Sequence, residues 1–236
     1  MNPADNRANM PPEYFHILGS LSETQRLRFE RGEWASEVNG ALWTLEQFDA
    51  ERAGISDGAI IYNCAPIAMR RVVVAVDPSG TAGNGVGDAI GIVVAGVGTD
   101  GRIYILEDAS CCLSPEQWSR RVVAAYHHHQ ADRIIAEANF GGAMVEAIIR
   151  VADPRVSYRA VHASRGKIVR AEPVAALYEK GRVSHAGTFP DLEDQLANMT
   201  PAGFVGEGSP DRADALVWAV TELGLQPSRG VTVQRR

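Results

Sequence analysis

From Arg71 onward, apolar runs, turn residues and amphipathic stretches alternate in a regular order. "VVVAV", Val72 to Val76, is apolar at every position, which predicts a strand buried on both faces. It runs into Asp77 and a turn, "DPSG", followed by the glycine-rich "SGTAGNGVGD". "AIGIVVAGV" reads as a second strand, Asp100-Gly101 as a tight turn and "RIYILEDA" as a third strand. Short links make these three antiparallel. Beyond them the period changes. "SPEQWSRRVVAAYHHH" predicts a helix with Ser114 as N-cap and Pro115 in its first turn, and "DRIIAEA" returns to a strand. "AMVEAIIRVA", "KIVRAEPVAALYEKG", "DLEDQLANM" and "DRADALVWAVTELG" read as helices. "VSYRAVH" and the short "RVSH" read as strands between them. Three hairpin-linked strands followed by strand-helix crossovers predict an α/β fold in three layers. Its mixed sheet starts antiparallel, continues parallel and is flanked by helices.

The first seventy residues read differently. They carry short helical patterns, including "LSETQRLRFERGEW" with Ser22 as a cap, and no strand pattern up to about Tyr62, so residues 1–70 are expected to be an extension. Residues 71–225 are expected to be the folded domain, and 226–236, "QPSRGVTVQRR", a disordered tail. Three cysteines, two of them adjacent, fit neither a secreted disulfide framework nor a zinc-ligand spacing. That cysteine usage points to a reducing cytoplasm, and no signal peptide or membrane-spanning run is legible, which argues against a membrane role. A formal net charge of -6 argues against a wholly basic coat but leaves room for basic patches beside an acidic site.

The acids carry the chemistry. Asp77 closes the first strand, and Glu137 closes the strand "RIIAE" in the same way. If those strands are neighbours, both carboxylates leave the same sheet edge, where open α/β sheets place their ligands. Asp211 and Asp214 open the last helix three residues apart, on one face. Each has an ordinary explanation when taken singly: "DPSG" is a good β-turn, and Asp211 suits a helix N-terminus. Glu137 has no turn to serve on a buried strand. Carboxylates gathered at one point repel unless a hard divalent cation neutralises them, and Mg²⁺ or Mn²⁺ suits an all-oxygen set. Two such ions can clamp the attacking and leaving oxygens of a phosphodiester. Arg165, Lys167 and Arg170, near the start of "KIVRAEP", read equally as DNA-backbone contacts or as a solvated helix face. His127 to His129 point to different sides of a helix end and cannot chelate one ion together. His185 reads as a satisfied structural histidine. Cys111 and Cys112 read as semi-buried packing residues.

The segments "VVVAVDPSG", "IIAEANFGG", "ASRGKIVRAEPVAALYEKGRVSH" and "SPDRADALVWAV", in this order, resemble the nuclease domain of the large terminase subunit of tailed bacteriophages, with its ribonuclease H-like fold. The resemblance implies a metal-dependent endonuclease that cuts concatemeric double-stranded viral DNA during packaging in the host cytoplasm. By position it makes Asp77, Glu137 and Asp214 the catalytic, metal-binding acids, with Asp211 as a further ligand and two divalent ions as cofactor. It also favours the DNA reading of Arg165, Lys167 and Arg170. Residues 11–48 resemble the end of that family's ATPase domain. No G-x-x-x-x-G-K-[ST] phosphate loop is present, so no ATPase site is expected in this chain. The ATPase domain, the small terminase subunit and the portal are the implied partners, with the isolated domain expected to be monomeric. A resolvase- or transposase-type nuclease of the same superfamily, and a non-catalytic DNA-binding or motor-docking module, remain as alternatives.

Overall fold

The computed structural model describes residues 38–78, 89–138 and 142–225. The expected helix around Ser22, the glycine-rich turn, Asn139 to Gly141 and the C-terminal tail lie outside the described residues. Among the described residues, seven strands form the main sheet. β4 (Met69–Pro78), β5 (Ala89–Gly98) and β6 (Ile103–Asp108) are the antiparallel meander, and β7 (Cys111–Cys112) pairs with β5. β8 (Arg133–Glu137) runs parallel to β4, β9 (Tyr158–Val161) parallel to β8, and β10 (Val183–His185) parallel to β6 at the other edge. Every long strand except β5 therefore ends at the same sheet edge.

Two cores, one on each face, follow from the two-residue period of the strands. Val72, Val74 and Val76 of β4 pack with Ile90, Ile92 and Val94 against α2 (Pro115–His128) and α3 (Gly142–Ala152). Val73 and Ala75 pack with Val93 and Ala95 against α4 (Lys167–Glu179), α5 (Pro190–Ala197) and α6 (Asp211–Val220). Each fully buried valine or isoleucine contributes ~1.5–3 kcal/mol, so both faces of β4 stabilise the sheet. α6 is buried along nearly its whole length and continues into a π-helical turn, Thr221–Leu225. At the far end of that helix, Glu222 is buried between Arg71 and Arg159 at 2.5 and 3.0 Å, which fixes its position along the sheet. Among the described residues, no helix is long and apolar enough to cross a membrane.

The described part of the first seventy residues departs from the expectation in two ways. Trp43, Leu45 and Phe48, in and beside α1 (Leu45–Ala50), are buried in the same core as α4 to α6. Strands β1 (Gly54–Ser56), β2 (Ala59–Tyr62) and β3 (Ala65–Ile67) then form a small antiparallel sheet where no strand pattern was evident. Its two-residue turns, Asp57-Gly58 and Asn63-Cys64, have positive φ throughout, the geometry that matches strand twist in tight hairpins. The Asp-Gly pair is a hairpin signal. The strands around it are too short and too exposed to show alternation.

The histidines near the end of α2 are polar surface groups with acidic partners. His127 Nε2 lies 2.9 Å from Asp153, and His129 Nε2 lies 2.7 Å from Glu107. Cys111 is half-buried in the core under α2, as expected of a packing residue, whereas Cys112 is exposed because adjacent strand residues face opposite ways.

Candidate active site

Strand parity places the first two acids together. Asp77 shares the face of Val73 and Ala75, and Glu137 shares that of Ile135, so both point toward α4 and α6. β4 and β8 pair with Val76 opposite Ala136, which makes Asp77 and Glu137 the next neighbours across the strands. The N-terminus of α6 brings Asp211 and Asp214 to the same edge, where both are buried. Its approach depends on Gly91, which faces Asp77 across the β4–β5 pair. A Cβ on Gly91 would lie 1.9 Å from the carbonyl oxygen of Asp211, a contact that only glycine avoids. Gly91→Ala is therefore expected to push α6 off the sheet at a cost of about 3 kcal/mol, the upper end for overpacking, read as a lowered urea midpoint. An unchanged midpoint would show that α6 has slack at this crossing.

α6 starts after Pro210, which offers no side-chain cap. The cap comes from α5: Gln195 Oε1 accepts hydrogen bonds from the backbone N–H groups of Arg212 at 2.9 Å and Ala213 at 3.2 Å. The Arg212 guanidinium reaches Asp108 at the end of β6 and Asp191 on α5, both at 3.0 Å. Ser209 Oγ donates to Asp211 Oδ1 at 2.5 Å. The helix carrying two of the acids is thus fastened to α5 and to the sheet edge.

Burial first, and then charge crowding, governs the site. Burial, reinforced by Asp214 and Glu137, pushes the Asp77 carboxyl up to about 8, with Lys167 opposing the rise. Asp214 is also raised, chiefly by burial, against a hydrogen bond from Lys167 Nζ to its Oδ2. Lys167 lies above its ordinary value: burial acts to lower it, and the bond to Asp214 with the charge of Asp77 outweighs that. Arg170 bridges two acids, donating through Nη1 to Glu137 Oε2 at 3.2 Å and standing 4.0 Å from Asp214 Oδ1. Its guanidinium lies 4.4 Å from the ring centre of Trp218, whose Nε1 donates to the same Glu137 Oε2 at 2.8 Å. Asp214 Oδ1 is buried with no hydrogen-bond partner among the described residues.

All four expected acids reach one edge of the fold. They do not close into a single cage: among the described residues, no three His, Cys, Asp or Glu side chains are grouped to hold one ion. Lys167 and Arg170 stand against the acids and neutralise them, as like charges in a buried site require. Arg165 lies exposed just before α4, and the contacts to the acids come from Lys167 and Arg170. A cavity of about 360 Å³ opens beside Lys167, lined also by Phe204, Gly206, Gly208 and Ser209. Sequence reasoning missed Gly91, Gln195 and Trp218. Of these only Trp218 left a signal, its spacing of four residues from Asp214 along one helix face.

The sequence model of the terminase RNaseH-like domain matches residues 74–223. No curated protein matches the chain. Among solved structures, the human cytomegalovirus terminase nuclease domain superposes with a TM-score of 0.50 at 15% identity, covering 74% of this chain and 91% of that one, and shows the shared fold. The large terminase nuclease of the thermophilic phage G20c gives a TM-score of 0.47 at 17% identity, covering 64% of this chain and 82% of its own, and has also been solved with bound magnesium. A mutant nuclease domain of the large terminase subunit of bacterial virus Sf6, with manganese and beta-thujaplicinol, gives 0.48 at 15%, covering 64% and 88%. The family match runs from the strand that carries Asp77 to the helix that carries Asp214, and the chain belongs to the terminase RNaseH-like domain family.

Proposed function

We propose that this chain is a divalent-cation-dependent endonuclease that hydrolyses phosphodiester bonds of double-stranded DNA, with Asp77, Glu137 and Asp214 as the cation-holding acids and Asp211 in support. The observation that carries the reading is the gathering of these acids at one sheet edge, with Asp77 pushed up to about 8 by burial and, after it, by the charges of Asp214 and Glu137. The donor set fits such a group: its atoms are hard carboxylate oxygens, and one of them, Asp214 Oδ1, is buried without a hydrogen-bond partner among the described residues. When bound, divalent cations supply Lewis-acid polarisation of the phosphate, and two ions make the full complement of the reading.

The chain's own residues do the rest. Asp77 gives up its proton to serve as a ligand, which favours neutral to alkaline pH. Lys167, released from Asp214, turns toward the DNA backbone, Arg170 adds positive charge to it from its place over Trp218, and Arg165 adds an outer phosphate contact; such contacts are salt-sensitive and independent of sequence. Lys167 borders the cavity, whose lining runs to Ser209 and Pro210 just before Asp211 and leaves room for a strand near the acids. In its native setting the domain would cut concatemeric DNA in the host cytoplasm, working with an ATPase domain, a small terminase subunit and a portal.

Incubating supercoiled plasmid with the protein in Mg²⁺, Mn²⁺ or EDTA tests this. Nicked and linear products are expected with either metal and none in EDTA. A folded protein that binds plasmid yet leaves it intact with both metals would favour the DNA-docking reading instead.

A further inference from the structure

The two donors to Glu137 are unevenly placed. Trp218 Nε1 at 2.8 Å and Arg170 Nη1 at 3.2 Å both fall on Oε2. Trp218 is nearly buried, and the guanidinium stacked 4.4 Å from its ring centre holds the indole plane. Asp214 and Trp218 lie four residues apart on one face of α6, so a single helix carries one acid of the site and the hydrogen bond that aims another. We infer that Trp218 is a positioning residue: it pins Oε2 of Glu137 and turns Oε1 alone toward the cation. The inference rests on the proposed function above.

The consequence is selectivity as well as affinity. A carboxylate with one oxygen pinned binds through the other, which suits Mg²⁺, a small ion that demands octahedral single-oxygen ligands. Ca²⁺ takes about six to eight oxygens and accepts a carboxylate through both. An outer hydrogen bond of this kind, when removed, costs about 10–100-fold in metal affinity. Trp218→Phe keeps an aromatic ring under Arg170 and removes only the N–H donor.

Isothermal titration of the wild type and Trp218→Phe with MgCl₂ and with CaCl₂ tests the assignment. The variant is expected to bind Mg²⁺ about 10-fold more weakly and to lose much less for Ca²⁺, so that the Mg²⁺ to Ca²⁺ preference narrows. A purely structural tryptophan would leave that preference unmoved, and equal Mg²⁺ affinity in both proteins would overturn the inference. Should the variant fail to fold, the Trp218 indole N–H resonance of ¹⁵N-labelled wild type decides. It is expected to shift on adding Mg²⁺, and an unmoved resonance in a protein that does take up Mg²⁺ would overturn the assignment. A wild type that takes up neither ion overturns the nuclease reading itself.

Discussion

Asp77→Asn is expected to lower plasmid cleavage by about 10²–10³-fold or more at saturating metal, the loss that follows removal of a preorganised electrostatic group. The same change is expected to make the metal-free fold more stable. In the folded chain Asp77 keeps its proton up to about pH 8, whereas an unfolded aspartate releases it near pH 4. Between those values the folded state binds more protons, so wild-type stability falls as pH rises across the window. Below about pH 4 both states are protonated and the carboxyl has no effect; near pH 8 the full cost is reached. Asparagine has no charge to desolvate. At about 1.4 kcal/mol per unit, the variant should exceed the wild type by several kcal/mol at pH 8 and match it at pH 4. Asp214, shifted in the same direction, leaves part of the slope in place. Urea unfolding in EDTA at pH 4, 6 and 8 reads all of this. Curves that stay parallel across the series would mean that Asp77 bears no cost of burial and crowding. A variant that is more stable yet inactive is the expected sign of a site organised for charge at the expense of the fold.

The legible parts of this molecule are those written in local pattern. An unbroken apolar strand ending on Asp77, repeated at Glu137, announces two strand ends with one chemistry, and parity then fixes which face both acids use. The pair Asp211 and Asp214 is visible because helix spacing is local. What stayed hidden is held by contacts between distant segments. Gln195 has no helix-capping look in "DLEDQLANM", since the helix it caps begins sixteen residues later. Gly91 reads as one glycine in a glycine-rich strand until α6 is laid across it. Lys167 and Arg170 read as a basic helix start, and only the folded arrangement shows them turned onto the acids. The sheet β1–β3 escaped because strands of three or four exposed residues carry no hydrophobic period. The core role of Trp43 and Phe48 was hidden for another reason: their partner Tyr178 lies over a hundred residues away.

That distant packing leads to the second large effect. Glu193 is 1% exposed, and Arg52 Nη1 donates to its Oε1 at 2.7 Å while Nη2 donates to Oε2 at 3.2 Å. His185 Nδ1 lies 2.9 Å from the same Oε1. The carboxylate accepts only, so Nδ1 carries a proton, and on the other side of the ring Nε2 lies 2.9 Å from the buried Tyr178 hydroxyl. Phe48 stacks on the imidazole. This chain of polar groups ties the segment after α1 to β10 and α5, and α5 in turn caps the helix bearing Asp211 and Asp214. Burial acts to raise the Glu193 carboxyl, but His185 and Arg52 outweigh it and hold it at about 2. Glu193→Ala would leave Arg52 without its main partner and His185 without its acceptor, and is expected to cost about 3–5 kcal/mol at pH 7, as breaking a buried pair does. The pH trend is opposite to that of Asp77. A depressed carboxyl stabilises the fold above the unfolded value near 4.5, and that contribution fades as pH falls toward 2. Wild type and variant should therefore differ most above pH 5 and converge near pH 2, the mirror image of the Asp77→Asn series. A difference below about 1 kcal/mol at pH 7 would reduce the network to the worth of a surface ion pair, and the link from residues 49–53 to the acidic edge would lose its physical basis.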